Sequence, residues 1–250
     1  VVVAGLSALL TVVDFSQKTR IKISLCCVGV LIGIFVVMWI CANKKRTHKV
    51  KINGTVVNFV YGDIFAREGI KIIPFNEYFD TVVDDKIISA SSLNGIYIKQ
   101  HTAGADEVQR IIESSERLPV NSVERDGQRK YGGNTTKYQL GSICPNNDYF
   151  LLAFTHFDED NRAHLSIEDY ISCLMHMWNE LDVYYAGRPI SITLLGSGIT
   201  RFNTCELTPQ EILQYIVFTF KARKVKFNNT SSLALVLDER VKDEINLYDI

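Results

Sequence analysis

The stretch Ile190 to Arg201, ISITLLGSGITR, is an apolar run rich in β-branched residues that stops abruptly at two glycines. Its first six residues, Ile190 to Leu195, have the composition of a buried strand. Gly196 and Gly198, directly after it, let backbone N–H groups approach an anion. Open α/β sheets bind ligands at such strand ends. A plain tight turn accounts for the same letters, because Gly-x-Gly alone is a weak signal. The segment lacks the Gly-Lys-Ser/Thr ending of a Walker loop and does not fit the Gly-x-Ser-x-Gly nucleophile elbow. Ser197 therefore reads as a phosphate-facing residue rather than a nucleophile.

Working outward, further strands are predicted at Val56 to Tyr61, Ile70 to Phe75, Tyr149 to Phe154 and Leu233 to Leu237. They alternate with helical patterns, which is the signature of a layered α/β domain. Val108, Ile111, Ile112 and Leu118 share one helical face, and Ile167, Tyr170, Ile171, Leu174, Trp178 and Leu181 share another. Ser166 and Asp169 stand at capping-box spacing, and Thr208-Pro209-Gln210-Glu211 opens a third helix whose buried face is Ile212, Leu213, Ile216, Val217 and Phe220. Between Val120 and Ser142 the pattern fails, and Asp126-Gly127 and Gly132-Gly133 predict an exposed excursion or a hairpin.

Other segments after strands carry candidate chemistry. In Gly62-Asp63-Ile64 the carboxylate of Asp63 can accept a hydrogen bond from an exocyclic amine; a solvated turn aspartate is the default reading. In PFNEYFDT, Pro74 to Thr81, an amide, two carboxylates and two aromatics stand close together, and Tyr78 and Phe79 are either stacking surfaces or core residues. SSLNGIYI, Ser91 to Ile98, offers further N–H donors from a small-residue turn. Their shared placement after strands predicts one pocket. His156, Asp158, Glu159, Asp160 and His164 fit no metal spacing and read as an exposed acidic loop. His176 reads as structural, and Lys221 to Lys226 as positive charge at a helix end.

From Ile23 to Ala42 there are twenty residues without a charge, enough at about 1.5 Å each to cross a hydrocarbon core of roughly 30 Å. Gly29 and Gly33 form a Gly-x-x-x-Gly face for close helix packing, or are two tolerated glycines. Lys44, Lys45, Arg46, Lys49 and Lys51 follow the segment, against Lys18, Arg20 and Lys22 before it, which places the large domain in the cytoplasm of a plasma-membrane protein. The apolar residues 1 to 13 are too short to span, and are read as the end of a first transmembrane helix joined by a turn over Asp14 to Lys22. A cleaved signal peptide fits less well, without a basic n-region. The predicted organisation is a transmembrane hairpin over 1–43, a basic linker over 44–52 and one α/β domain over 53–250.

Beyond residue 52 there are 19 Lys and Arg against 27 Asp and Glu, a charge of about -8 that repels nucleic acid. The cysteines Cys26, Cys27, Cys41, Cys144, Cys173 and Cys205 include no Cys-x-x-Cys pair, so neither a disulfide framework nor a zinc site is predicted.

Taken together, the blocks across Lys51 to Ile250 resemble a macro domain, an α/β/α three-layer sandwich with a mixed sheet that binds ADP-ribose. Gly62-Asp63-Ile64 is similar to the family's Gly-Asp-Ile, whose aspartate contacts adenine, and IIPFNEYFDT is similar to the strand that ends in its asparagine, here Asn76. SSLNG stands at the first diphosphate loop and LLGSGITR resembles the second. The wording NEYFDT, with VDDKIIS and the terminal INLYDI, resembles the divergent macro domains of Thoeris antiphage effectors of the membrane type, which carry two N-terminal transmembrane helices. Macro domains ordinarily have Asn-Ala-Ala-Asn where this chain has Asn76-Glu77-Tyr78-Phe79, so de-ADP-ribosylating chemistry is not carried over.

The resemblance implies no cofactor and no catalytic residue, and a non-catalytic effector. Its ligand would be an ADP-ribose derivative, histidine-ADP-ribose, made from NAD by a TIR-domain partner after phage infection. It implies ligand contacts from Asp63, Ile64, Asn76, Glu77 and Phe79, with the diphosphate between Ser92, Leu93, Asn94, Gly95 and the loop Gly196, Ser197, Gly198, Ile199, Thr200. The implied output is homo-oligomerisation in the lipid bilayer and membrane disruption. A membrane-tethered ADP-ribosyl hydrolase and a structural membrane scaffold are the competing readings.

Overall fold

The segment ahead of the apolar run contains Lys18, Arg20 and Lys22 but neither glycine nor proline, so nothing in it stops a helix. In the computed structural model, which describes residues 16–43, 47–203, 206–224, 227, 232–247 and 249, helix α1 spans Gln17–Asn43. The Ser16 carbonyl opens it, accepting from the Thr19 and Arg20 N–H groups at 2.9 and 3.0 Å. This corrects the expected turn, because Gln17 to Lys22 are helical. Asp14 and Phe15 of that turn, and the expected first helix, lie outside the described residues. α1 is long and apolar enough to cross a membrane, and its large apolar side chains from Leu25 to Ile40 stand exposed.

Thr47–Ile250 form a second unit. Its strands are β1 (Thr47–Ile52), β2 (Thr55–Tyr61), β3 (Ile70–Asn76), β4 (Ser122–Arg125), β5 (Thr136–Tyr138), β6 (Ile143–Asn146), β7 (Tyr149–Phe157), β8 (Ala163–Leu165), β9 (Ile190–Thr193), β10 (Arg201–Phe202) and β11 (Ser232–Leu237). Its helices are α2 (Leu93–Gln100), α3 (Ala105–Glu113), α4 (Ile167–Tyr184) and α5 (Pro209–Arg223). The main sheet has the order β1-β2-β11-β9-β3-β7-β8-β10, with β6 also paired to β7. β2, β11, β9, β3 and β7 are parallel neighbours, so their C-terminal ends share one edge.

Strand periodicity divides the core into two layers. Phe150, Leu152 and Phe154 of β7, with Ile70 and Ile72 of β3, pack against Tyr170, Leu174 and Trp178 of α4 and Ile216 and Phe220 of α5. The intervening residues Leu151, Ala153, Ile73 and Phe75 face Tyr97 and Ile98 of α2 and Val108 and Ile112 of α3. That is the expected three-layer α/β/α arrangement with a mixed sheet. Covered on both faces, β3 is buried along almost its whole length.

Local chemistry sets the helix ends. Ser166 Oγ accepts from the Asp169 N–H at 2.9 Å, and Thr208 forms a capping box with Glu211. The helix expected to include Leu118 ends at Glu113, and Leu118 opens a separate 3-10 turn with Pro119 in its first turn, where a missing N–H costs nothing. The excursion after Val120 contains the β4–β5 hairpin. At the end of β3 the register slips: Phe75 pairs with Ala153 but Asn76 with Thr155, a bulge that turns the chain out of the sheet.

Candidate functional site

Gly62-Asp63-Ile64 follows β2. The Asp63 carboxylate is exposed and accepts from the Phe65 N–H at 2.9 Å, closing a local turn. Ile64 is buried against Ala234 and Val236 of β11, and Leu93 of α2 packs on the same cluster. The structure thus brings the Asp63 loop and the first turn of α2 together over the end of β11. Ser92 caps α2, its Oγ accepting from the Gly95 N–H at 3.2 Å. Gly95 is obligatory, since a Cβ there would lie 2.1 Å from the Ser89 carbonyl oxygen. The first N–H groups of a helix have no intrahelical partner, which suits this turn to an anion.

After β9, the Ser197 N–H and Oγ both bond to the Leu194 carbonyl, at 3.1 and 2.7 Å, and the Tyr170 hydroxyl holds the Leu195 carbonyl at 2.8 Å. Gly196 has φ 99°, a conformation that favours glycine. Ser197, Gly198 and Ile199 are exposed, and Thr200 is half-buried. β2, β9 and β3 end on the same edge, so this loop, the Asp63 loop and the Asn76 turn are neighbours by sheet topology.

The Asn76 turn is closed by its own hydrogen bonds. Asn76 Oδ1 accepts from the N–H groups of Tyr78 and Asp80 at 3.1 and 3.2 Å, and its Nδ2 donates to Asp80 at 2.8 Å. Asp80 is fully buried and also accepts from the Arg129 guanidinium at 2.7 Å and the Asn134 N–H at 2.7 Å. Arg129 continues to the Asn134 carbonyl at 3.0 Å and Asn161 Oδ1 at 2.6 Å, and lies 3.9 Å from the Tyr78 ring centre. The Tyr78 hydroxyl donates to Asp126; burial, then that bond, push its pKa up to about 12. Phe79 is no stacking surface: its ring is fully buried between Phe75 and Tyr138. A segment read as ligand chemistry is largely the anchor of the excursion.

Glu77 has a different partner. Its Oε2 lies 2.7 Å from His156 Nδ1, and its Oε1 accepts from the Phe157 N–H at 3.3 Å. His156 Nε2 is 3.8 Å from Asp169. The hydrogen bond to Glu77 raises the His156 pKa against the opposing effect of burial. His156 and His164 belong to β7 and β8, correcting their assignment to an exposed loop, while Asp158 to Asp160 are exposed between those strands. His176 is structural, bonded to the Leu140 carbonyl at 2.9 Å. Sequence reasoning missed Arg129, Asn134 and His156; only the polar density of NEYFDT signalled that some partner must exist.

Residues 57–238 match the model of the family described as Thoeris protein ThsA, Macro domain. The chain belongs to the Thoeris ThsA family. It is 36% identical over 250 residues to Thoeris protein ThsA of Bacillus amyloliquefaciens strain Y2, covering 98% of this chain and 84% of that protein. The ThsA likeness therefore takes in α1 as well as the macro domain. Among solved structures, the Oceanobacillus iheyensis macrodomain with ADP is 12% identical with a TM-score of 0.47, covering 79% of this chain and 91% of that one. The same organism's macrodomain with MES bound is 15% identical with a TM-score of 0.43, covering 78% and 90%. The matched ThsA span begins within β2 and ends just past β11, so all the strand-end loops described above fall inside it.

Proposed function

We propose that this ThsA-family chain is a membrane-anchored antiphage effector whose macro domain senses an ADP-ribose derivative. The observation that carries the reading is the convergence of three loops, after β2, β3 and β9, on one edge of parallel strands, with the N-terminus of α2 packed beside the first. Asp63, flanked by buried Ile64, is the adenine contact. Backbone donors of Leu93, Asn94, Gly196, Gly198, Ile199 and Thr200 take the diphosphate, needing no net positive charge in an acidic domain, while the Ser92, Gly95 and Ser197 N–H groups hold the two loops in shape through their internal bonds. Asn76 and Glu77 border the sugar end, where their own bonds fix their geometry, and Phe79 supports them from the core. The ligand in this reading is histidine-ADP-ribose, supplied by a TIR-domain protein; α1 carries the output by clustering in the plasma membrane, and the macro domain is cytoplasmic.

Calorimetric titration of the detergent-solubilised chain with ADP-ribose and histidine-ADP-ribose tests the sensor. An Asp63→Ala, Gly198→Glu double variant should bind at least about ten-fold more weakly, since a hydrogen bond to a charged group is worth roughly 1.5–3 kcal/mol. Gly198 has open space around it, so the glutamate adds charge without crowding. Unchanged affinity would sink this pocket.

One observation favours a second reading, an ADP-ribosyl hydrolase. The Glu77–His156 pair is an oriented carboxylate–histidine arrangement at the end of β3. Mass spectrometry of the ligand after prolonged incubation separates the two: intact recovery supports the effector, and conversion to free ADP-ribose supports the hydrolase.

A further inference from the structure

The turn after β3 holds a phenylalanine in a backbone conformation that bulky residues avoid. Phe79 has φ 50°, on the left-handed side, where a Cβ crowds the following carbonyl oxygen. Such a conformation persists only where its surroundings over-determine it. Here much of the constraint comes from the excursion. Asn134 Nδ2 donates to the Tyr78 and Phe79 carbonyls at 3.2 and 2.9 Å, and Arg129 holds the next residue, Asp80, at 2.7 Å. From within the turn, the Phe79 N–H donates to the Asn76 carbonyl at 3.0 Å.

The same clamp sets the direction of the Asn76 amide. Its Oδ1 takes the Tyr78 and Asp80 N–H groups, and one Nδ2 hydrogen goes to Asp80 Oδ2. A carboxamide has two lone pairs and two donor hydrogens, so among the described residues one Nδ2 hydrogen is left over. Asn76 is only 2% exposed, so a ligand oxygen can use that hydrogen only while the amide keeps its present orientation. Arg129 itself has little to offer a ligand. Asp80 and the Asn134 carbonyl take its Nη1 hydrogens, Asn161 Oδ1 takes one on Nη2, and the Tyr78 ring lies 3.9 Å from the guanidinium.

We propose that Arg129 and Asn134 are positioning residues for nucleotide recognition: by clamping the strained turn they aim the remaining Asn76 N–H, and so set how strongly a sugar beyond the diphosphate is bound. Without the clamp, Phe79 relaxes out of the left-handed region and carries Asn76 with it. The inference rests on the reading under Proposed function, in which the sugar end borders Asn76. Adenine and diphosphate belong to other loops in that reading, so the clamp acts on ADP-ribose and not on ADP.

Calorimetric titration of the full chain in detergent with ADP and with ADP-ribose tests this. Asn134→Ala keeps the Asp80–Arg129 pair; it should weaken ADP-ribose about ten-fold, the scale of one hydrogen bond, and leave ADP within about two-fold. Arg129→Met should act in the same direction, and Arg129→Lys, which keeps a charge beside Asp80, should recover part of the loss. In an Asn76→Ala background the Asn134 change should cost ADP-ribose nothing further, because the residue it acts through is gone. A clamp that only stabilises the fold would weaken both nucleotides alike, or would still weaken ADP-ribose without Asn76; either result overturns the inference. Equal parent affinity for ADP and ADP-ribose removes the sugar contact and the inference with it. If the parent prefers ADP-ribose and Asn134→Ala changes nothing, the inference fails while the sensor reading stands; if the parent binds neither nucleotide, both fail. Should the Arg129 variants not fold, Asn134→Ala and the comparison of the two nucleotides still decide.

Discussion

Asp80 is the residue on which the macro domain's polar interior depends. Its carboxylate is fully buried, and its counter-charge, Arg129, arrives from 49 residues away. Breaking a buried ion pair by removing one partner costs about 3–5 kcal/mol, because the remaining charge is left unpaired. Arg129→Ala should therefore lower the unfolding free energy by about that amount in urea denaturation of the chain, and a change below about 1 kcal/mol would contradict the burial described. Gly133 belongs to the same lock, since a Cβ there would stand 2.4 Å from Asp80 Oδ1. His156 makes a second prediction. Its pKa is raised from the ordinary 6.5 by Glu77, with Asp169 adding to the effect and Lys137 opposing it. A raised folded-state value means that the pair's stabilisation is complete below about pH 6.5 and is lost as pH climbs through the folded value. His156→Gln should flatten that limb of the stability–pH curve; a limb identical to the parent's would assign it to other groups.

At the scale of elements, strands and caps were legible because they depend on neighbours in the chain. ISITLL, the Ser166 cap and the Thr208 capping box each contain their own cause within a few residues; the structure has both caps where the pattern puts them and the strand over Ile190–Thr193, two residues shorter than expected. The Asp63 and Gly196 loops were legible as strand-end turns for the same reason, whereas the small-residue turn expected over Ser91 to Ile98 proves to be the start of helix α2. What pairs with NEYFDT was not, because Arg129, Asn134 and His156 reach it through sheet order and a bulge rather than through spacing. Phe79 shows the ambiguity of an aromatic letter, which fits a stacking surface and a core equally well until its neighbours are known. Helix α1 was legible in its apolar run but not in its start, since Lys18, Arg20 and Lys22 read as turn residues although each is a good helix former. Along α1, a Cβ added at Gly29 or Gly33 would meet no atom within 4 Å. If α1 helices associate through that face, a Gly29→Leu, Gly33→Leu variant should lose most cross-linked dimer in membranes while leaving nucleotide affinity unchanged. Equal cross-linking would move the contact to another face.

For the whole molecule, a ligand can drive an output only by binding one assembly state more tightly than another. Cross-linking of the membrane-embedded chain with and without histidine-ADP-ribose should therefore show larger assemblies with ligand, and an unchanged distribution would remove the link between sensing and clustering. The Asp80–Arg129 lock gives an independent view of the same molecule. A polar excursion such as 122–138, with arginines at 125 and 129 and a lysine at 130, has the composition trypsin cuts readily. To be cut after Arg129, however, the guanidinium must leave its buried carboxylate and enter the protease. The rate of that one nick then reports how often the interior comes open, and any molecule that closes the excursion onto the domain would be seen as protection against digestion.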